Sequence, residues 1–183
     1  MARHGLLVLA LMLAVSLQVC HAGPTINKSI LAMVQRTSSL KTLRTAIPAA
    51  GLNGTLSNKN LKWTCFLPVD KAFNALVKNL AGEVTLADLL ADKASLAEVL
   101  TYHCTEGTFL KSKMKAGSLS MLNDEKKASD IVQVVKAGTG FYLRDSLGAR
   151  ANVSSWDNIA GAAVVHLITG VLMPGFPEPA SAH

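Results

Sequence analysis

Helix-like and strand-like spacings of apolar residues alternate in the first half of the chain. Apolar residues at 26, 30, 33 and 34 recur at helical intervals and predict a helix over 26–36. A second helix is predicted over 40–50. The segment 53–60, NGTLSNKN, is rich in Asn, Gly and Ser, which predicts a turn.

A short strand followed by a helix is predicted around Pro68. The apolar run over 62–67 predicts the strand, and proline ends it because proline has no backbone N–H to donate. Over 70–80 the apolar residues lie on one side of a predicted helix. The sequence therefore predicts a strand that leads directly into an amphipathic helix.

The middle of the chain predicts two short helices and then extended structure. Thr85 with Asp88, and Ser95 with Glu98, have the spacing of capping boxes, which predicts helices over about 85–91 and 95–100. The segment 101–104 then turns towards strand. Lys111, Lys113 and Lys115 alternate within 110–116, so an extended segment would place them on one face, as a solvated edge.

The last third is predicted to be β-rich. IVQVVK (131–136), AGTG and FYLR (141–144) together predict a hairpin. Residues 152–155 form another short strand candidate. The segment 164–174 predicts a buried strand with a bend at its glycine and an end at its proline. Helices first and strands later indicate an α+β domain.

The two ends of the chain are predicted to lie outside this domain. A basic start, an apolar run over 6–19 and small residues near Ala22 are typical of a secretory signal peptide over 1–22. The apolar run is shorter than the ~20 residues of a membrane span, so no transmembrane anchor is expected. We predict one domain over 23–175 and a short flexible tail over 176–183.

Charge and cysteine content indicate which partners and which cellular compartment to expect. The formal net charge of +6 favours acidic surfaces such as anionic glycans. Nucleic acid is not expected, since the bias is moderate and aromatic residues for base stacking are few. After leader removal Cys65 and Cys104 remain, and in an oxidising compartment they are expected to form a disulfide. Two separate buried thiols are the alternative.

No arrangement of residues in the sequence points to an enzyme or a cofactor. The chain contains no HExxH, GxSxG, P-loop or GxGxxG motif. His103 and His166 lie in apolar segments, where a core histidine bonded to the backbone is the more economical interpretation, and His183 is terminal. We therefore expect no catalytic residue, no metal site and no cofactor.

Three sequons are candidate N-glycosylation sites in an exported protein. They begin at Asn27, Asn53 and Asn152. Asn53 lies in the most turn-like sequence and is the first choice, with Asn152 next. Chance occurrence is the alternative, since the motif is short.

Four segments taken in order resemble the fasciclin domain family. They are TCFLPVDKAF (64–73), LAEVLTYHC (96–104), GSLSMLN (117–123) and ANVSSWDNIAGAAVVHLITGVLMP (151–174). The resemblance covers about 25–174. Val69 departs from it, because the family usually has a small hydroxyl or amide residue there to cap the helix. The cysteines also depart, since they replace mostly apolar, valine-like residues at core strand positions.

The resemblance implies a fold and a role. The implied fold is a β-sandwich or wedge of short strands packed with several α-helices. The implied role is extracellular adhesion or matrix interaction, without catalysis, through Tyr102 and His103 and through Asp157 and Ile159. The implied partners are matrix, cell-wall or cell-surface proteins or glycans, and the sequence does not predict the oligomeric state.

An alternative role is a module that binds a glycan or a small apolar ligand. The glycan version rests on Lys111, Lys113 and Lys115, whose positive charges would face an acidic polysaccharide.

Overall fold

The computed structural model describes residues 28–79, 85–122 and 131–175. The predicted signal peptide, Asn27, the ends of the predicted helices at residues 26 and 80, and the C-terminal tail lie outside these ranges.

In the described ranges six α-helices lie before the last third of the chain, and five of them correspond to helices that the apolar spacing and the capping-box signals predicted. Ser29 begins the first helix, since its side-chain oxygen accepts a hydrogen bond from the Ala32 N–H. Thr85 and Asp88 form the predicted capping box. The helices are α1 (Ile30–Arg36), α2 (Lys41–Ala49), α3 (Asn53–Ser57), α4 (Asp70–Asn79), α5 (Leu86–Ala91) and α6 (Lys93–Thr101).

Seven strands form one continuous mixed sheet. Its order is β2-β1-β7-β6-β5-β4-β3, in which β1 and β7 are parallel and the other neighbours are antiparallel. Helices together with this sheet confirm the α+β class. The strands are β1 (Trp63–Pro68), β2 (Cys104–Glu106), β3 (Gly117–Ser120), β4 (Ile131–Ala137), β5 (Gly140–Arg144), β6 (Arg150–Ala160) and β7 (Ala163–Ile168).

Glycines close two of the strand connections. β4 and β5 form the predicted hairpin, and Gly138 in its turn has a φ of +57°, a conformation that glycine adopts readily. Gly161, between β6 and β7, has a φ of +67°, and a side chain there would collide with the Lys59 carbonyl oxygen.

The sheet separates two apolar cores. Alternate residues of β1 face opposite sides, so Cys65 packs with the helices while Phe66 packs towards β4, β5 and β6. The helical core includes Ile30, Val34, Leu43, Ile47, Leu100 and Val165. The second core lies on the opposite side of β1, against β4, β5, β6 and β7. It includes Tyr102, Val132, Val134, Leu143, Ala151 and Ile168.

Cys65 and Cys104 are joined by a disulfide. The two residues lie opposite each other in the β1–β2 ladder and are 0% and 4% exposed. The bridge has a sequence separation of 39, for which chain entropy gives a stabilisation of roughly 4 kcal/mol. The disulfide therefore ties the strand before α4 to the strand after α6.

Several predicted boundaries were wrong for local reasons. The predicted turn at 53–60 contains the short helix α3. Helix α6 begins at Lys93 because Asp92, rather than Ser95, caps it. The Ser95 hydroxyl instead donates to the Asp92 carboxylate at 2.6 Å.

The two strand predictions near the end of the chain also differ from the structure. β6 runs from 150 to 160, far beyond the predicted 152–155. β7 ends at Ile168, and the predicted bend at Gly170 lies just beyond the strand instead of within it.

Asp70 stabilises a neighbouring helix. It is the first residue of α4, yet its carboxylate accepts a hydrogen bond from the Thr42 N–H of α2 at 2.8 Å. Leu40, which precedes α2, offers no side-chain cap. Burial raises the pKa of Asp70, but the hydrogen bonds from Thr42, together with the backbone N–H and the charge of Lys41, outweigh it and leave that pKa below its usual value. Asp70 thus supplies the cap that α2 lacks.

Candidate interaction site

Tyr102 is a buried connector between elements. Its side chain is 0% exposed, and its hydroxyl donates to the Ile131 carbonyl at 3.0 Å and accepts from the Ser146 N–H at 3.3 Å. It therefore joins the end of α6 to β4 and to the β5–β6 turn. This burial corrects the expectation that Tyr102 is offered to a partner.

His103 is equally buried and is neutral at physiological pH. Its Nδ1–H donates to the Val99 carbonyl at 2.7 Å, and its Nε2 accepts from the Leu172 N–H at 2.9 Å. Burial lowers the pKa of His103 to about 4, although the bond to Val99 opposes this shift. Both ring nitrogens are occupied, so His103 is a core residue and lies outside any contact surface.

Asp157 is held outward at an irregularity of β6. The β6–β7 register shifts between Ser155 and Asn158, and Asp157 has a φ of +58°, in the left-handed region that few non-glycine residues adopt. Its side chain is 39% exposed, and its carboxylate accepts a hydrogen bond from the Lys111 N–H at 2.7 Å. The bulge therefore presents this carboxylate at the surface.

His166 supports the bulge from beneath. Its Nδ1 accepts from the Asp157 N–H at 3.1 Å, and its Nε2–H donates to the Phe109 carbonyl at 2.9 Å. Burial lowers the pKa of His166, while the Phe109 carbonyl and the Asp157 charge raise it by less. A neutral imidazole with one fixed tautomer thus positions Asp157.

Ile159 lies two residues beyond Asp157 and is 60% exposed. Trp156, on the other side of Asp157, is half-buried against the His166 ring at 4.8 Å, and the Lys111 ammonium lies 5.7 Å from its indole. We call Lys111, Trp156, Asp157 and Ile159 the Asp157 surface. It joins a fixed carboxylate to an exposed large apolar side chain.

The three lysines of 110–116 do not share a face. Lys111–Lys113 form a 3-10 turn, in which residues two apart point in different directions, so the prediction of an extended segment was wrong. Lys111, Lys113 and Lys115 are all exposed.

Comparison with known proteins identifies the family of the chain. The sequence model of the fasciclin domain matches residues 38–174. The chain belongs to the fasciclin domain family.

One curated relative of this fasciclin domain is transforming growth factor-beta-induced protein ig-h3 of the rabbit, Oryctolagus cuniculus. The two are 27% identical over 150 residues, which cover 82% of this chain and 20% of that protein. The chain thus spans about a fifth of the relative's length.

A solved structure confirms the fasciclin fold. It is the FAS1 domain pair of the insect cell adhesion molecule fasciclin I, with a TM-score of 0.63 and 13% identity. The match covers 80% of this chain and 51% of that one.

Two of the three sequons of this fasciclin domain lie in the described ranges. Asn53 is the exposed first residue of α3, and Asn152 is exposed near the start of β6. The Asn152 side-chain oxygen accepts a hydrogen bond from Arg150 Nε at 2.9 Å. Both side chains are accessible for modification.

Two further findings concern metals, membranes and ligands. In the described ranges, no group of three or more His, Cys, Asp or Glu side chains is placed to hold a metal ion, and no helix has the length and apolar character to cross a membrane. An apolar cavity of about 30 Å³ lies beside Leu52, Trp63 and Cys104. It is far smaller than the roughly 300 Å³ or more of ligand pockets, so it gives no support to a small apolar ligand.

Proposed function

We propose that this fasciclin domain is an exported, non-catalytic adhesion module that contacts a matrix or cell-surface protein through the Asp157 surface. The observation that carries the proposal is the bulge in β6, which holds the Asp157 carboxylate outward beside the 60% exposed Ile159. Burying an exposed isoleucine in a partner would contribute apolar area, and a fixed carboxylate would add specificity.

Family membership and the leader-like N-terminus support the location and the general role. The insect structure belongs to a cell adhesion molecule. The disulfide suits an oxidising compartment, where such bonds persist. A role without catalysis fits the two buried histidines, because each has both ring nitrogens bonded to the backbone.

An attachment assay with matched surface variants tests this proposal. Ile159→Ala should weaken attachment to matrix-coated surfaces or whole cells by about tenfold, the effect of an interface hot spot. Asp157→Asn keeps a residue that tolerates positive φ but removes the charge, and should cause a smaller loss. Leu147 is 61% exposed, so Leu147→Ala is a control of equal apolar exposure and should behave as the unmodified protein.

The attachment data also distinguish a specific contact at the Asp157 surface from a general effect of surface hydrophobicity. Equal attachment of the Ile159→Ala and unmodified proteins would exclude this surface as the contact. Equal losses in Ile159→Ala and Leu147→Ala would indicate a general effect of surface hydrophobicity, which also contradicts a specific site.

A further inference from the structure

A row of polar side chains crosses four strands on the outer face of the sheet. Ser118 of β3 lies opposite Gln133 of β4, Gln133 opposite Arg144 of β5, and Arg144 opposite Arg150 of β6. All four residues are exposed. With strands about 4.8 Å apart, the row is roughly 14 Å long.

The inward neighbours show why this row faces solvent. Leu143 and Ala151, each adjacent in sequence to one of the arginines, are both 1% exposed and pack in the second core. Side chains alternate along a strand, so Arg144 and Arg150 must point away from that core.

The positions of the two arginines are unfavourable for the stability of the sheet. They face each other directly across the β5–β6 ladder, where like charges destabilise a sheet. In the described part of the chain neither forms an ion pair. Asp145 follows Arg144 but is 4% exposed, and its carboxylate accepts hydrogen bonds from the backbone N–H groups of Leu147, Ala149 and Met173. The positive charge of Arg144 and Arg150 is therefore available to an external anion.

Arg150 is pre-organised for such an anion. Its guanidinium lies 4.0 Å from the centre of the Tyr142 ring, and its Nε donates to the Asn152 side-chain oxygen at 2.9 Å. Tyr142 and Asn152 are themselves paired across β5 and β6. These contacts fix the guanidinium plane and leave its terminal N–H groups for a planar or tetrahedral anion.

We propose that this row, Ser118–Gln133–Arg144–Arg150, is a binding site for a linear anionic glycan that carries sulfate or carboxylate groups. The arginines bind adjacent anionic groups, and Gln133 and Ser118 contact sugar hydroxyls further along the row. The site is separate from the Asp157 surface.

The geometry favours a glycan over a nucleic acid. The Arg150 guanidinium lies over one face of the Tyr142 ring, so a base cannot stack on that face. Two arginines and two neutral polar groups match a polymer that alternates anionic groups with hydroxyls better than one with a phosphate at every unit.

Binding to immobilised heparin tests the proposal with charge-matched variants. The full chain is prepared without N-glycans, because Asn152 borders the row. Arg144→Gln/Arg150→Gln should raise the dissociation constant about tenfold or more, since both charge-assisted pairs are lost. Lys113→Gln/Lys115→Gln removes the same charge elsewhere on the surface and should change binding less than about twofold.

A third variant tests the stacking. Arg150→Lys keeps the charge but loses the planar fork over Tyr142, so it should bind about threefold more weakly than the unmodified protein. The thermal midpoint of Arg144→Gln/Arg150→Gln should stay close to that of the unmodified protein, because removal of the like-charge pair offsets the loss of the Arg150 contacts with Tyr142 and Asn152. This measurement separates a loss of binding from a loss of folding.

Three outcomes would overturn the proposal. Unchanged heparin binding in the arginine variant excludes the row. An equal or larger loss in the lysine variant assigns retention to overall charge or to the lysine turn. Equal competition by single-stranded DNA of matched charge indicates an unselective polyanion surface. Ile159→Ala should leave heparin binding unchanged, so this test is independent of the adhesion assay.

Discussion

At the scale of single residues, this fasciclin domain uses histidine as a neutral structural group. His103 and His166 are both 0% exposed, and each bonds to backbone groups through both ring nitrogens. Sequence alone suggested core histidines. It did not reveal that His166 lies under Asp157, because an apolar neighbourhood predicts burial and not the identity of the partners.

The neutral state of His103 predicts a pH-dependent stability. Its pKa is about 4 in the folded protein, whereas an unperturbed histidine has a pKa of 6.5, so the unfolded chain binds more protons between these values. Folding stability should therefore be complete above pH 6.5 and fall as the pH approaches 4. The loss from this residue amounts to about 3 kcal/mol. The lowered pKa of His166 acts in the same direction.

Urea unfolding at several pH values from about 7 to about 4.5 measures this effect. His103→Gln should lower the free energy of unfolding at every pH, because it disturbs two buried hydrogen bonds. It should also flatten the pH dependence, which a purely structural loss would not do. Parallel curves for the two proteins would contradict a buried neutral His103.

At the scale of elements, the Asp70 carboxylate contributes to packing between two helices. It caps α2 from the start of α4, across 28 residues of sequence. Asp70→Ala should lower the free energy of unfolding by about 1 kcal/mol, the usual cost of a lost N-terminal cap. Asp70→Asn keeps an oxygen acceptor and should lose less, whereas Lys71→Ala, at the exposed next position, is the neutral control.

Because Asp70 is charged, the stability difference between Asp70→Ala and the unmodified protein should depend on pH. Because the pKa of Asp70 is lowered in the folded state, its contribution is present at neutral pH and is lost as the pH falls below 3.8, the ordinary pKa of an aspartate. Asp70→Ala and the unmodified protein should therefore converge in stability in strong acid. A constant difference down to that pH would show that the carboxylate charge does not matter.

The contrast between predicted and observed elements has a common cause. The β4–β5 hairpin and the Thr85 capping box were predicted because their signals lie within a few residues. The Asp70–Thr42 and Asp157–Lys111 bonds were not, because they join residues 28 and 46 positions apart. Periodicity shows which face a side chain occupies but not which element covers it. The pairing of Arg144 with Arg150 likewise depends on strand register.

At the scale of the whole molecule, the β1–β2 disulfide lies beside both cores. Cys65 belongs to the helical core, whereas its neighbour Phe66 belongs to the second core. The disulfide links β1 to the strand that follows Tyr102 and His103. We predict that export into an oxidising compartment is coupled to this bond, which lies at the centre of the fold.

Intact mass of the protein secreted by a eukaryotic host tests this coupling directly. We expect a chain that begins at Gly23, a gain of about 2 Da on reduction as the disulfide takes up two hydrogen atoms, and a loss of mass on enzymatic removal of N-glycans. Asn53→Gln and Asn152→Gln should each remove one glycan, since both side chains are exposed. A secreted chain that keeps residues 1–22, carries no glycan and shows two free thiols would contradict the predicted export pathway. The fasciclin fold would then have to be stable without the roughly 4 kcal/mol attributed to the bridge.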